Sequence, residues 1–451
     1  MPNDPDLTPE QWLAYLSNKL QSRLPEMLRL RQYVTGQAPL PTGATQYREA
    51  YAAWQKMSRT NPAELVVGAK AERLRIAGFR AGGTGQDNDA ARAVWKRSMG
   101  SALAADVHRD ALTYGKGYCL ASKGRFGAVL TRESPLTTVV EHDPLDPTWV
   151  LAGLKVWSDL KSDHAVLHLP GEVWRFVRST PSRTRMPAQP RMFAPGWVLD
   201  EEKSGETGLN RVPIVEFTNI DGIGEFANHT DILDRINWVI LQRLLIVAMQ
   251  AFRQRALEED AKNEGVLDET DEDGEEINYD ELFVPGPDAL WVLPAGVRIW
   301  ESQPGDISQI LLAAKDDFRD LASMTKTPMY TLIPDGQNQT AEGAALAREG
   351  LVYAVEDRQE RFGPKWDWQL NAALALDDVD AEVETQWVPA ERHSMADKFD
   401  ALSKAGDLPW RDRMTDVMGY AADRVDRMEA DRKREQTATD PARPVTPAPL
   451  P

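Results

Sequence analysis

Apolar residues recur along most of this chain at one of two spacings. Over 8–35 they fall every three or four positions, so Trp12, Leu13, Leu16, Leu20 and Leu24 share one helical face, with Thr8 placed as a cap and Pro9 in the first turn. The same spacing predicts helices over 47–56, 62–74 and 90–114, the last carrying Val94, Trp95, Met99, Leu103, Val107 and Leu112. After Gly115-Lys116-Gly117 the pattern shortens to alternation. Strands are expected at 75–80, then 118–122, 128–130, 137–141, 150–157, 165–169 and 173–178. The segment 210–219 reads as an edge strand, because Pro213 has no N–H to give to a ladder.

The dominant feature is 228–263, which contains neither proline nor glycine and is rich in strong helix formers. As one helix it would be a rod of roughly 50 Å. Ile232, Leu233, Ile236, Val239, Ile240, Leu244 and Val247 form a stripe, and Trp238, Leu241, Leu245, Ile246 and Met249 fill much of the opposite side. A helix that is apolar nearly all round is buried on several sides. Asp234, Arg235, Gln242 and Arg243 interrupt it, which excludes a continuous membrane span. A second helix is expected at 307–325, with Phe318 and Leu321 on its apolar side, and a third at 340–376, kinked or broken at Gly363-Pro364. A strand at 383–388 and short helices at 394–403, 410–417 and 421–433 complete the pattern, so the fold class expected is α+β.

Composition narrows this. The 451 residues carry a net charge of −18, which argues against a surface built to grip phosphates but not against one that lets nucleic acid slide past. One cysteine, Cys119, excludes a disulfide framework and suits a reducing compartment. The acidic N-terminus is expected to hold no secretory signal, and no apolar window is long enough to span a bilayer. The Pro-rich stretch 436–451 is expected to be disordered.

Candidate chemistry is sparse. There is no nucleophile elbow, no phosphate-binding P-loop and no C-x-x-C pair, and the Gly82-Gly83-Thr84-Gly85 cluster lacks the Lys-Ser/Thr that a P-loop needs. The acidic segment 258–281 loosely imitates a calcium loop, with Glu269, Asp271, Asp273, Gly274 and Asp280, but its first and last ligand positions are wrong. It reads as a solvated loop, as does the Pro/Arg-rich 181–195. Asp316 and Asp317 are expected to face solvent or a neighbour. His164 and His168 flank a strand-like run and read as ordinary histidines, and no cofactor or metal site is expected.

An ordered set of phrases then stands out: DALTYGKGYCLAS (110–122), LNRVPIVEFTN, TDILDRINWVILQRLL, AFRQRAL, LWVLPAGVRIWES, TPMYTLIPDGQNQTAEGAA and VEDRQERFGPKW. In order and spacing, over roughly 5–430, they resemble the portal proteins of tailed bacteriophages, of the type found in Bacillus phage SPP1 and in phages of actinobacteria. The resemblance implies a non-enzymatic ring, usually of twelve copies, at one capsid vertex of the virion, assembled in the host cytoplasm. It implies a channel for packaging and ejecting double-stranded DNA without sequence specificity. Its implied partners are the terminase large subunit, a head-tail adaptor, and major capsid and scaffolding proteins, with no membrane.

The same resemblance implies an α+β wing at 1–227, stem helices at 228–263 and 306–326, a clip at 264–305 and a tunnel loop at 327–339. A spine helix with a wing return follows at 340–393, an α-helical crown at 394–435 and the tail at 436–451. Met329, Tyr330, Ile333, Asp335, Gln337, Asn338 and Gln339 are then the tunnel-loop candidates. Ile236, Val239, Ile240, Leu244, Val247, Phe318 and Leu321 are the stem-packing candidates. Another head-tail connector or minor capsid structural protein, or a metal-dependent nuclease using scattered carboxylates, are the alternatives.

Overall fold

The computed structural model describes residues 7–41, 48–82, 87–180, 196–251, 255–259, 297–301, 307–333, 341–391, 395–404, 406–420 and 422–438. The chain divides into two units. Unit 1 comprises 1–39, 60–234 and 318–451, and unit 2 comprises 40–59 and 235–317.

In unit 1, helix α1 (Pro9–Val34) begins as its sequence dictates. The Thr8 hydroxyl accepts from the Gln11 amide, and the Gln11 side chain accepts from the Thr8 N–H at 2.8 Å, so two orphan donors of the first turn are satisfied. Its buried stripe, Trp12 to Met27, packs on one face of the largest sheet, against Val139, Leu154, Val156, Leu167 and Phe176. That sheet is antiparallel: β4 (Thr138–His142), β5 (Val150–Ser158), β6 (Ser162–Leu169), β7 (Glu172–Ser179) and β8 (Val198–Leu199) lie in sequence order, with β9 (Gly205–Glu206) also on β7. His168 on β6 is buried, and His164 meets Asp159 at 2.8 Å.

A second sheet sets β10 (Ile214–Thr218) at the edge, beside β2 (Lys116–Gly124) and then β3 (Gly127–Glu133). A third pairs β1 (Ile76–Ala81) with β13 (Val383–Trp387). Helix α2 (Arg48–Met57) lies in unit 2, and helix α3 (Pro62–Ala71) precedes β1 in unit 1.

The helix expected over 90–114 is two: α4 (Asp89–Arg97) and α5 (Gly100–Tyr114). Met99 between them takes φ 52, a left-handed turn. The reason is packing: the Gly100 backbone lies so close to the Trp95 indole that a Cβ there would overlap the ring.

Helix α6 (Thr230–Ala251) is also shorter than its periodicity predicts. Residues Arg255–Glu259 form strand β11, paired antiparallel with β12 (Val297–Glu301) in unit 2. The register sets Arg255 opposite Glu301 and Glu259 opposite Val297. A distant partner strand thus overrides local helix propensity. Helix α7 (Ser308–Met324), a single turn at Met329–Leu332, and the 36-residue α8 (Ala341–Leu376) follow. Pro364 lies inside α8 without ending it. Helices α9 (Met395–Lys404) and α10 (Ala422–Ala438) close the described chain.

Candidate functional site

The residues with most polar organisation lie where α6 begins and α7 ends, in unit 1. The loop before α6 is fixed on the end of α5. Asn219 N–H donates to Gly115 O at 2.9 Å and Glu225 N–H to Leu112 O at 2.8 Å. Gly224 sits so tightly on Thr113 that a Cβ would run into its carbonyl. The first turns of α6 are tied to α1: Arg29 donates to the Thr230 hydroxyl at 3.1 Å, and the Tyr33 hydroxyl donates to the Asp234 carboxylate at 2.8 Å. Burial and that carboxylate raise the Tyr33 phenol well above its ordinary range.

Glu225 is placed by this loop to receive two cations. Lys70 from α3 meets its Oε2 at 3.0 Å, and Arg358 from α8 meets its Oε1 at 2.8 Å. Asn219 adds a bond to Oε1 at 3.1 Å. Burial alone would raise the Glu225 carboxyl, but Lys70 and Arg358 outweigh it and hold the group below the usual carboxylate range. Lys70, almost wholly buried, is pushed down by desolvation against the pull of Glu225. Its ammonium also donates to Thr325 O at 2.7 Å, just past the last turn of α7. One buried carboxylate therefore joins α3, α8 and, through Lys70, the end of α7.

Within unit 2, Arg235 Nε meets Asp317 Oδ1 at 2.6 Å, linking α6 to α7. Asp317 faces a neighbouring helix, one of the two environments its sequence suggested.

The stem-packing candidates separate by exposure. Ile236, Ile240 and Leu321 are buried, Val239, Leu244 and Phe318 are half-buried, and Val247 is 49% exposed. Trp238, Leu311 and Leu312 are also exposed. Of the tunnel-loop candidates, Met329 and Tyr330 lie in the single helical turn after Pro328, and Ile333 follows in extended backbone. Asp335, Gln337, Asn338 and Gln339 lie outside the described residues, as do the calcium-like segment, the 181–195 loop and most of 264–305.

Among the described residues, no group of three or more His, Cys, Asp or Glu side chains comes together to hold a metal, and no helix is long and apolar enough to cross a membrane. Sequence reasoning missed the Lys70–Glu225–Arg358 cluster. Its one local signal is a lysine inside an otherwise apolar run, PAELVVGAKA.

The sequence profile described as "Phage portal protein, SPP1 Gp6-like" matches residues 13–437. This chain belongs to that portal family. The portal chain accordingly has the α+β portal fold. No curated protein sequence matches it.

Solved structures similar to the portal chain include chains of gene transfer agent particles. One, from the neck of an empty particle computed with C6 symmetry, is 16% identical with a TM-score of 0.47, over 83% of this chain and 93% of the other. A chain of the native virion is 15% identical with a TM-score of 0.45, over 87% and 99%. A chain of the native neck computed with C12 symmetry is 14% identical with a TM-score of 0.43, over 86% and 98%.

Proposed function

We propose that this chain forms the portal ring at one capsid vertex of a tailed phage or phage-like particle. The ring is the channel for genome packaging and ejection, and the platform on which the terminase large subunit and then the head-tail adaptor dock. The observation that carries this is the family match, which spans 13–437 and so covers the helices α6 and α7 with everything between them.

In this reading twelve copies surround the channel. Residues 1–227 are the wing, α6 and α7 the stem, α8 the spine and 394–435 the crown. The ladder of Arg255–Glu259 with Val297–Glu301 belongs to the clip, so the first stem helix ends at Ala251 rather than at 263. Exposed Trp238, Val247, Leu311 and Leu312 are the apolar side chains left for neighbouring copies to cover.

The net charge of −18 suits translocation, because acidic walls offer DNA no counterion-release gain and keep the duplex centred rather than bound. The loop over 327–339 is the channel constriction, its polar residues making weak and exchangeable contacts. ATP hydrolysis belongs to the terminase. Capsid and scaffolding proteins contact the outside of the ring.

Electron microscopy of the purified chain tests this. The expected image is a ring with a hole of duplex width. A chain that stays monomeric at high concentration, together with heads that fill in its absence, overturns the reading.

A further inference from the structure

A cavity of about 260 Å³ lies beside the Lys70–Glu225–Arg358 cluster, wholly within unit 1. Its wall includes Asn219, Asp221 and His229 from the loop before α6, and Lys326 after α7. Three features mark it as built to hold something.

The first is charge. Lys70, Lys326 and Arg358 line it with two carboxylates, Asp221 and Glu225, and Arg358 also meets Asp357 at 3.2 Å, so three cations gather here in a chain of net charge −18. Both Glu225 oxygens are already engaged, whereas Lys70 has three N–H groups and uses two, on Glu225 and Thr325. The start of the 22-residue α6 adds its dipole at Asn228 and His229.

The second is an unmet acceptor. Asn219 is only 3% exposed, and its Nδ2 donates to Ile223 O and to Glu225, yet its Oδ1 has no hydrogen-bond partner. A buried carbonyl oxygen without a donor is costly.

The third is backbone strain. Four non-glycine residues among those described have positive φ, and two of them, Asp221 at 53° and Lys326 at 51°, line this one cavity. Strain of that kind gathers where function holds it in place.

We propose that this cavity binds hydrogen phosphate, either as the free ion or as the terminal monoester of a nucleotide chain in its singly protonated form. Its anionic oxygens accept from Lys70, Arg358 and Lys326, and its P–O–H donates to Asn219 Oδ1. A phosphodiester has no such hydroxyl, so the backbone of passing duplex is the poorer match. Sulfate, which has none at neutral pH, serves as the control.

The test is calorimetric titration of the full chain, in the assembly in which it purifies, with sodium phosphate and sodium sulfate at fixed ionic strength near pH 6, where a terminal monoester is still about half protonated. Saturable phosphate binding is expected, roughly tenfold tighter than sulfate. Lys326→Gly removes the ammonium and suits the left-handed backbone, and it is expected to weaken phosphate roughly tenfold with an unchanged far-UV spectrum. Absence of saturable binding, equal responses to phosphate, sulfate and chloride, or undiminished affinity in Lys326→Gly overturns the site. A 5′-phosphorylated oligonucleotide that displaces inorganic phosphate assigns a DNA end as the source, and one that does not assigns the free ion; both outcomes uphold the site. Binding does not require the ring, so the portal reading stands or falls separately.

Discussion

The indole N–H of Trp366 donates to Nε2 of His108 at 2.8 Å, while His108 Nδ1 faces the Leu74 carbonyl at 3.2 Å. These two bonds fix the ring as a neutral tautomer with its proton on Nδ1. His108 is fully buried, stacked on Phe362 at 5.3 Å and edge-on to Trp366 at 5.7 Å. It stands at the centre of an aromatic cluster that joins α5, α8 and β13.

Burial pushes His108 down to about 3, against the usual imidazole near 6.5. Between those values the unfolded chain takes up a proton that the folded chain refuses, so stability is full above the upper value and falls as pH drops through the window. His108→Gln keeps an acceptor for Trp366 but does not titrate. Denaturant midpoints measured from pH 7 to 4 are expected to show a slope shallower than wild type by up to about 1.4 kcal/mol per pH unit. His168, pushed by burial to about 4, maintains part of the slope. Identical slopes in the two proteins count against this account.

Glu225→Ala leaves Lys70 as an uncompensated buried cation and Arg358 with Asp357 alone, and the expected cost is about 3–5 kcal/mol. Glu225→Gln keeps the acceptor geometry and should fall between that variant and wild type. Urea unfolding measures both, and hydrogen exchange at the end of α7 should rise, because Lys70 bonds there to Thr325 O.

The Arg235–Asp317 pair is half exposed on the arginine side, so its screened contribution is small, about 0.2–1 kcal/mol. Arg235→Glu is expected to lower the melting temperature slightly and to reduce ring yield more clearly. The double swap Arg235→Glu with Asp317→Arg should recover both. A swap no better than the single variant would show that the pairing is incidental.

Much of this architecture was legible in the sequence, for local reasons. Thr8, Pro9 and Gln11 sit next to one another, and the β4–β7 strands alternate over short stretches with turns between them. Pro213 correctly signalled an edge. Where the reading failed, the cause was distant. Nothing within 90–114 announces that Trp95 will lie on Gly100 and split the helix, and nothing within 255–259 announces the 297–301 strand. The ion cluster was the least legible part, because Glu225 and Arg358 are 133 positions apart and Lys70 lies further off still.

Leu312→Glu places a charge on an exposed apolar position of α7, where 55% of the residue is accessible in one chain. The subunit should fold with an unchanged circular-dichroism spectrum, while sedimentation velocity shows loss of the ring. Rings in normal yield would mean that this face is not covered by a neighbour.

Deleting 335–339 should leave ring assembly intact and impair packaging or DNA retention. Packaged DNA protected from nuclease, counted per head, is the measurement. Full heads from the shortened protein would remove the loop from the mechanism.

Pro213 precedes β10 at the outer margin of its sheet, where its carbonyl accepts from Ala121 N–H at 3.0 Å but it has no donor of its own to offer outward. Ile214, Val215, Glu216 and Phe217 are all buried, so the protein's own packing shields this margin from the strands of any other chain.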